Sequence, residues 1–129
     1  DWSSDVCSSD LESLLEYPHR TAPAASEAIE IALAALVDQD GEVLVPMPTY
    51  PLYTAVIAKL GANALYYRTD PDRVWQPDIE HLRSLITART RVLVIIDPNN
   101  PTGAVYPPPV RRAVSTARSG AASIVTEKV

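Results

Sequence analysis

Residues 91–103, which read RVLVIIDPNNPTG, constrain the fold of this chain more than any other stretch. Residues 92–96 form an unbroken β-branched and aliphatic run, which is typical of a strand buried on both faces of a parallel sheet. The run ends in a cluster of Asp, Pro, Asn and Gly that cannot extend a ladder. Because ligands of open α/β sheets bind beyond the carboxyl ends of strands, an Asn amide in this turn is a candidate ligand donor. A purely structural turn is the alternative.

Hydrophobic periodicity predicts that helices and strands alternate along the chain. Helices are predicted over residues 26–40, 51–60, 77–86 and 107–118, and strands over residues 42–45, 64–68, 91–96 and 123–126. This alternation predicts an α/β fold, with a mainly parallel sheet and helices on both faces. Ser26 is predicted to cap the first helix, and Gly61 to end the second. His81 is predicted to be a solvated residue of the third helix, and no metal site is predicted.

The composition argues against several classes of protein. The 129 residues carry a net charge of −5, and only positions 59 and 128 are lysines, so no basic stripe can follow a phosphate backbone. The longest apolar runs are too short to span a bilayer. A single Cys rules out a disulfide within the chain. We therefore predict a cytoplasmic protein that binds neither nucleic acid nor a membrane.

The first eleven residues, DWSSDVCSSDL, fit nothing that follows them. They show neither a helical nor a strand period, and they lack the basic start and apolar middle of a signal peptide. They resemble the in-frame translation of a common short-read sequencing adapter. We therefore interpret residues 1–23 as an artefactual or unstructured leader, and the folded part is predicted to begin at residue 24.

Two motifs together identify a family resemblance. Residues 48–53 read Pro-Thr-Tyr-Pro-Leu-Tyr, and residues 99–107 read Asn-Asn-Pro-Thr-Gly-Ala-Val-Tyr-Pro. With both motifs in order, the chain resembles class I/II aminotransferases, which are pyridoxal 5′-phosphate (PLP) enzymes of fold type I. Within this family, the sequence most resembles alanine (glutamate–pyruvate) aminotransferases. The resemblance implies that residues 24–129 are part of the large, PLP-binding domain, a fragment of the fold-type-I α/β architecture.

The resemblance implies an activity and partners as well as a fold. The intact enzyme is expected to be a homodimer that transfers an amino group between an amino acid, such as alanine or glutamate, and a 2-oxo acid. Other fold-type-I enzymes, such as C–S lyases and decarboxylases, share these motifs, because a fold does not fix a reaction. A non-catalytic α/β module, or an orphan fragment without a ligand, is the remaining alternative.

The resemblance also assigns roles to residues that match the family's motifs. It implies that Asn100 donates a hydrogen bond to the 3′ oxygen of the PLP ring, and that Tyr50 stacks on that ring. It implies that Ala25, Ser26 and Glu27 belong to the loop whose backbone N–H groups hold the phosphate at a helix N-terminus. The residues before Ser26 are Ala-Pro-Ala rather than the family's Gly-rich sequence, which predicts weakened phosphate binding. Cis peptides are expected before Pro48 and Pro101.

One catalytic group of the family has no counterpart in this chain. Transamination requires a lysine that forms a Schiff base with PLP. Lys59 is predicted on a helix away from the strand ends, and Lys128 lacks the family's sequence context. The Schiff-base lysine is therefore expected beyond residue 129, and the chain as given is expected to be inactive. Glu127 is the nearest acid for the pyridinium nitrogen, either as a diverged residue or because the reading frame shifts after about residue 118.

Overall fold

Helices and strands alternate along the described part of the chain. The computed structural model describes residues 23–117 and 122–127, with side chains for residues 26–117. The helices are α1 (Pro23–Leu36), α2 (Pro51–Lys59), α3 (Ile79–Leu85) and α4 (Pro108–Ala117), with a 3-10 turn at Pro71–Arg73. The strands are β1 (Glu42–Met47), β2 (Asn63–Asp70), β3 (Gln76–Pro77), β4 (Thr90–Asp97) and β5 (Ala122–Glu127). Among the described helices, none is long and apolar enough to cross a membrane.

The strands form one sheet in the order β3-β2-β1-β4-β5. The four longer strands are parallel, and the short β3 is antiparallel to β2. Side chains of β4 alternate between two buried clusters, with Val92, Val94 and Ile96 on the face covered by α1 and α2. Leu93 and Ile95 face α3 and α4. Burial on both faces explains why the sequence of β4 lacks polar alternation, and the predicted α/β fold with helices on both faces is confirmed.

Two predicted helix starts are wrong. Because α1 begins at Pro23, Ser26 lies inside its first turns and does not cap it. Proline suits the first position of a helix, and the alanines after it are strong helix formers. The third helix begins at Ile79 rather than at Pro77, which lies in β3. Asp78 sets this start, because its side chain accepts the backbone N–H of His81 at 3.0 Å.

His81 is partly exposed, as expected of a solvated side chain, and it also has a hydrogen-bond partner. Its Nδ1 accepts the backbone N–H of Arg68 at 3.1 Å. The backbone of Arg68 in β2 lies against α3. In this contact the ring nitrogen is the acceptor, because a backbone N–H can only donate.

The predicted end of α2 is confirmed in detail. Gly61 adopts a left-handed backbone with φ +71. Its N–H donates to the carbonyl of Ala58, and the N–H of Ala62 donates to the carbonyl of Ile57, each at 3.1 Å. These two bonds form the Schellman motif, which satisfies carbonyls at a helix C-terminus.

Candidate functional site

A crevice opens between the carboxyl ends of β1 and β4. The pairing of these strands covers only Glu42–Leu44 with Thr90–Leu93. In contrast, β1 pairs with β2 as far as Met47, and β4 pairs with β5 as far as Asp97. The order in which strands join the sheet also reverses here, since β2 lies on one side of β1 and β4 lies on the other. A topological switch point of this kind is where open α/β sheets bind ligands.

Pro46 and Tyr67 explain locally why the two strands separate. Pro46 lies in β1 just beyond the last residue paired with β4, and it has no N–H to donate to a ladder. The carbonyl of Val94, beyond the last paired residue of β4, accepts the Tyr67 hydroxyl at 2.9 Å. A side chain from β2 thus satisfies a buried carbonyl next to the crevice. Burial raises the pKa of Tyr67 well above its usual value, so the hydroxyl remains a donor.

The loop after β1 presents Tyr50 on one side of the crevice. Tyr50 is 37% exposed and precedes the first residue of α2, where its carbonyl accepts the N–H of Tyr53 at 3.1 Å. The start of this loop is tied to β2, because the Thr69 hydroxyl donates to the carbonyl of Met47 at 2.6 Å. The expected cis peptide between Met47 and Pro48 is confirmed. An aromatic face is therefore available to solvent at this edge of the sheet.

The loop after β4 presents Asn100 on the other side of the crevice. Asn100 is exposed, whereas its neighbour Asn99 is only 3% exposed. The backbone of Asn99 closes the loop, because its N–H donates to the carbonyl of Ala104 at 2.8 Å and its carbonyl accepts the N–H of Gly103 at 2.7 Å. The Asn99 Oδ1 accepts the Thr102 hydroxyl at 2.9 Å. The expected cis peptide before Pro101 is confirmed, and the peptide before Pro98 is cis as well.

Beneath this loop lies a buried polar cluster that the sequence motifs did not single out. Asp97 is 4% exposed, and it accepts the backbone N–H of Tyr106 at 3.1 Å and forms an ion pair with Arg111 at 3.5 Å. Burial, and next the charge of Asp97, raise the pKa of Tyr106 to about 12, while the Asn99 amide acts in the opposite direction. Neither the Tyr106 hydroxyl nor the Asn99 Nδ2 has a hydrogen-bond partner among the described residues. The sequence offered one signal for this cluster, which is that an acid, Asp97, ends an apolar run.

The predicted phosphate-binding residues lie at the start of α1. Because α1 leads into β1, it runs antiparallel to that strand, and its N-terminus points toward the carboxyl edge of the sheet. Ala25 lies among the first three helical residues, whose N–H groups have no acceptor within a helix. Ser26 and Glu27 follow, where N–H groups ordinarily bond to carbonyls of the preceding turn. Ser26 is half-buried and Glu27 is exposed.

The ionisable residues considered for catalysis lie in different places. Lys59 is the last residue of α2, at the amino edge of the sheet, where it pairs with Glu30 at 3.7 Å. This position agrees with the prediction that Lys59 lies away from the strand ends. Lys128 lies outside the described residues. The backbone of Glu127 lies beside that of Asp97 at the carboxyl end of β5.

Two cavities lie elsewhere on the described part of the molecule. One, of about 690 Å³, lies between the end of β2 and the helices α3 and α4, and the other, of about 240 Å³, lies between α1 and α2. Tyr50 and Asn100 line neither of these two cavities. No group of three His, Cys, Asp or Glu side chains within residues 26–117 could hold a metal ion.

Comparison with known proteins identifies the family. The sequence model of "Aminotransferase class I and II" matches residues 21–124. The chain belongs to this family. It is 49% identical over 81 residues to the glutamate–pyruvate aminotransferase AlaA of Haemophilus influenzae, an alignment that covers 63% of this chain and 20% of that protein. It is 52% identical over 81 residues to the alanine aminotransferase of Mycobacterium bovis, covering 63% of this chain and 19% of that protein.

Solved structures agree with this membership of the family. The alanine aminotransferase from Pyrococcus furiosus superposes with a TM-score of 0.73 at 36% identity, over 78% of this chain and 26% of the other. The N-succinyldiaminopimelate aminotransferase from Mycobacterium tuberculosis superposes with a TM-score of 0.75 at 36% identity, over 78% and 27%. The chain is therefore a fragment of the fold-type-I α/β domain, and it spans about a fifth of the length of the curated relatives it matches.

Proposed function

We propose that this chain is part of a PLP-dependent aminotransferase that transfers an amino group between an amino acid and a 2-oxo acid. The observation that supports the proposal is that Tyr50 follows β1 and Asn100 follows β4, the two neighbouring strands whose pairing stops short of their carboxyl ends. Alanine and glutamate are the proposed amino acids, because similar proteins bear the names alanine and glutamate–pyruvate aminotransferase. We propose a cytoplasmic homodimer for the whole protein.

The residues at the carboxyl edge fit the cofactor chemically. When bound, PLP supplies an electron sink for bonds at the substrate α-carbon. The exposed ring of Tyr50 offers a stacking face, and the exposed amide of Asn100 offers a neutral donor to the 3′ oxygen. We propose Ala25, Ser26 and Glu27 as the phosphate site, with the backbone N–H of Ala25, which has no acceptor within the helix, as the donor at the N-terminus of α1.

We propose that the chain by itself binds the cofactor without completing the reaction. Lys59 is the only lysine within residues 23–117, and its side chain is 72% exposed at the amino edge of the sheet. Lys59 ends α2, whereas Tyr50 precedes the first residue of the same helix, so the two lie at opposite ends of α2. The Schiff-base lysine is therefore proposed to belong to a part of the whole protein outside this chain.

Equilibrium dialysis of the chain against PLP tests the proposal. We expect saturable binding that inorganic phosphate weakens by competition. Tyr50→Ala and Asn100→Ala should each lower the affinity about fivefold, since a stacking contact or a hydrogen bond contributes about 1 kcal/mol.

Lys59→Ala is the matched control, because PLP also reacts with surface lysines. The variant should bind PLP as the unmodified chain does. Binding that disappears with Lys59→Ala, and does not respond to Tyr50→Ala or Asn100→Ala, would overturn the proposal in favour of a non-catalytic module. A longer protein that contains this chain, assayed with alanine or glutamate and a 2-oxo acid, would separate transamination from C–S lyase activity.

A further inference from the structure

Asn99 and Asn100 are neighbours in the sequence, but they differ in burial. Asn100 is exposed at the crevice, and Asn99 is buried beneath the loop that carries it. Buried amides are costly unless they are hydrogen-bonded, so a buried Asn requires a structural explanation. The proposed function gives Asn99 no role.

The contacts of Asn99 all converge on the loop that carries Asn100. Its Oδ1 accepts both the hydroxyl of Thr102, at 2.9 Å, and the backbone N–H of Thr102, at 3.4 Å. The Thr102 hydroxyl in turn accepts the N–H of Ala104 at 3.3 Å. Together with the two backbone bonds from Asn99 to Gly103 and Ala104, these contacts close the loop on both sides of Asn100.

The orientation of the Asn99 amide is fixed by chemistry. A backbone N–H can only donate, so the Asn99 atom that faces the N–H of Thr102 is the carbonyl oxygen. The Nδ2 is then directed away from Thr102, and it has no partner among the described residues. The contacts with Thr102 therefore hold the side chain through its oxygen.

An amide suits this position better than a carboxylate would. Asp97 is already a buried carboxylate in the same cluster, and both side chains act on the hydroxyl of Tyr106. A second carboxylate at position 99 would add like-charge repulsion in a poorly solvated region. Asn99 supplies the acceptor that Thr102 needs without adding a charge.

We propose that Asn99 is a positioning residue that fixes the direction of the Asn100 amide, and that it acts through Thr102. The proposal rests on the proposed function in that it names Asn100 as the residue that contacts the 3′ oxygen of PLP. If Asn99 holds the loop, loosening Thr102 should remove the contribution of Asn100 to binding while leaving the rest of the site intact.

The experiment compares two probes, PLP and its analogue without the 3′ hydroxyl, in equilibrium dialysis of the 129-residue chain. We expect the unmodified chain to bind PLP about fivefold more tightly than the analogue, which is about 1 kcal/mol for one hydrogen bond. Thr102→Val, which keeps the shape and loses the hydroxyl, should abolish this preference and leave the affinity for the analogue unchanged. Thr102→Ser, which keeps the hydroxyl, should restore the preference.

Two results would overturn the positioning role. A Thr102→Val chain that still prefers PLP shows that Asn100 is directed without Asn99. A Thr102→Val chain that loses affinity for both probes equally, with no recovery in Thr102→Ser, shows a general structural role instead.

A third result would count against the proposed function and not against positioning. If the unmodified chain shows no preference for PLP, Asn100 does not contact the 3′ oxygen. Amide hydrogen exchange in the unliganded chain then decides the role of Asn99. Exchange at Gly103 about fivefold faster in Thr102→Val than in Thr102→Ser would support positioning, and equal rates would overturn it.

Discussion

Two buried tyrosines have hydroxyl groups with different surroundings. The Tyr67 hydroxyl donates to the carbonyl of Val94, whereas the Tyr106 hydroxyl has no partner among the described residues. Tyr67→Phe should therefore lower the free energy of unfolding by about 1 to 3 kcal/mol, because it leaves a buried carbonyl unsatisfied. Urea unfolding monitored by circular dichroism measures this change.

Tyr106→Phe is the matched control, since both rings are about 1% exposed or less. It removes a hydroxyl that meets no hydrogen-bond partner within residues 26–117, so the free energy of unfolding should fall by less than in Tyr67→Phe. Equal losses in the two variants would show that the bond to Val94 adds no stability beyond that of a buried tyrosine hydroxyl without this partner.

At the scale of single elements, the end of α2 depends on one backbone conformation. A Cβ at Gly61 would meet only the Gln39 side chain, at 3.4 Å, so space is available and the cost of substitution is conformational. Gly61→Ala should lower the free energy of unfolding by about 1 kcal/mol, because its φ of +71 disfavours a side chain. Gly61→Asn should cost less, since Asn tolerates this conformation. Thermal unfolding of the pair checks the ranking, and identical losses would contradict it.

Elements with strong local signals were predicted, and those set by distant contacts were not. The strand at residues 92–96 and the end of α2 at Gly61 are determined by nearby residues in the sequence, so both were predicted. The two-residue β3 exists only through its pairing with β2, which leaves no periodicity to detect. The same distinction applies to the candidate site. Tyr50 and Asn100 belong to recognisable motifs, so the sequence identified them. The roles of Asn99 and Asp97 depend on burial that only the folded loop creates.

At the scale of the whole molecule, the two edges of the sheet carry different kinds of polar group. The carboxyl edge presents exposed Tyr50 and Asn100. The amino edge holds a buried acid, Glu42, which is 3% exposed and accepts hydrogen bonds from the hydroxyls of Thr87 and Thr90. It also pairs with Arg89 at 2.8 Å. Glu42 thus links the start of β1 to the segment that leads into β4.

This link makes stability depend on pH in a defined direction. The hydrogen bond from Thr87, and next the charge of Arg89, lower the pKa of Glu42 below its usual 4.5, against the opposing effect of burial. The unfolded chain therefore binds a proton at higher pH than the folded chain does. The stabilisation is complete above about pH 4.5 and is lost as the pH falls through the lowered folded-state pKa.

Glu42→Gln tests this link, because it removes the charge and keeps the size of the side chain. At pH 7 the variant should unfold with a free energy lower by about 1 to 3 kcal/mol, the range for hydrogen bonds to a charged group. The difference should shrink as the pH falls below 4.5, because the unfolded chain then takes up a proton that the folded chain binds only at its lowered pKa. Glu30→Gln is the control, since its exposed pair with Lys59 contributes little at any pH. A difference that stays constant between pH 7 and pH 3 would show that the loss in the variant does not come from the charge of Glu42.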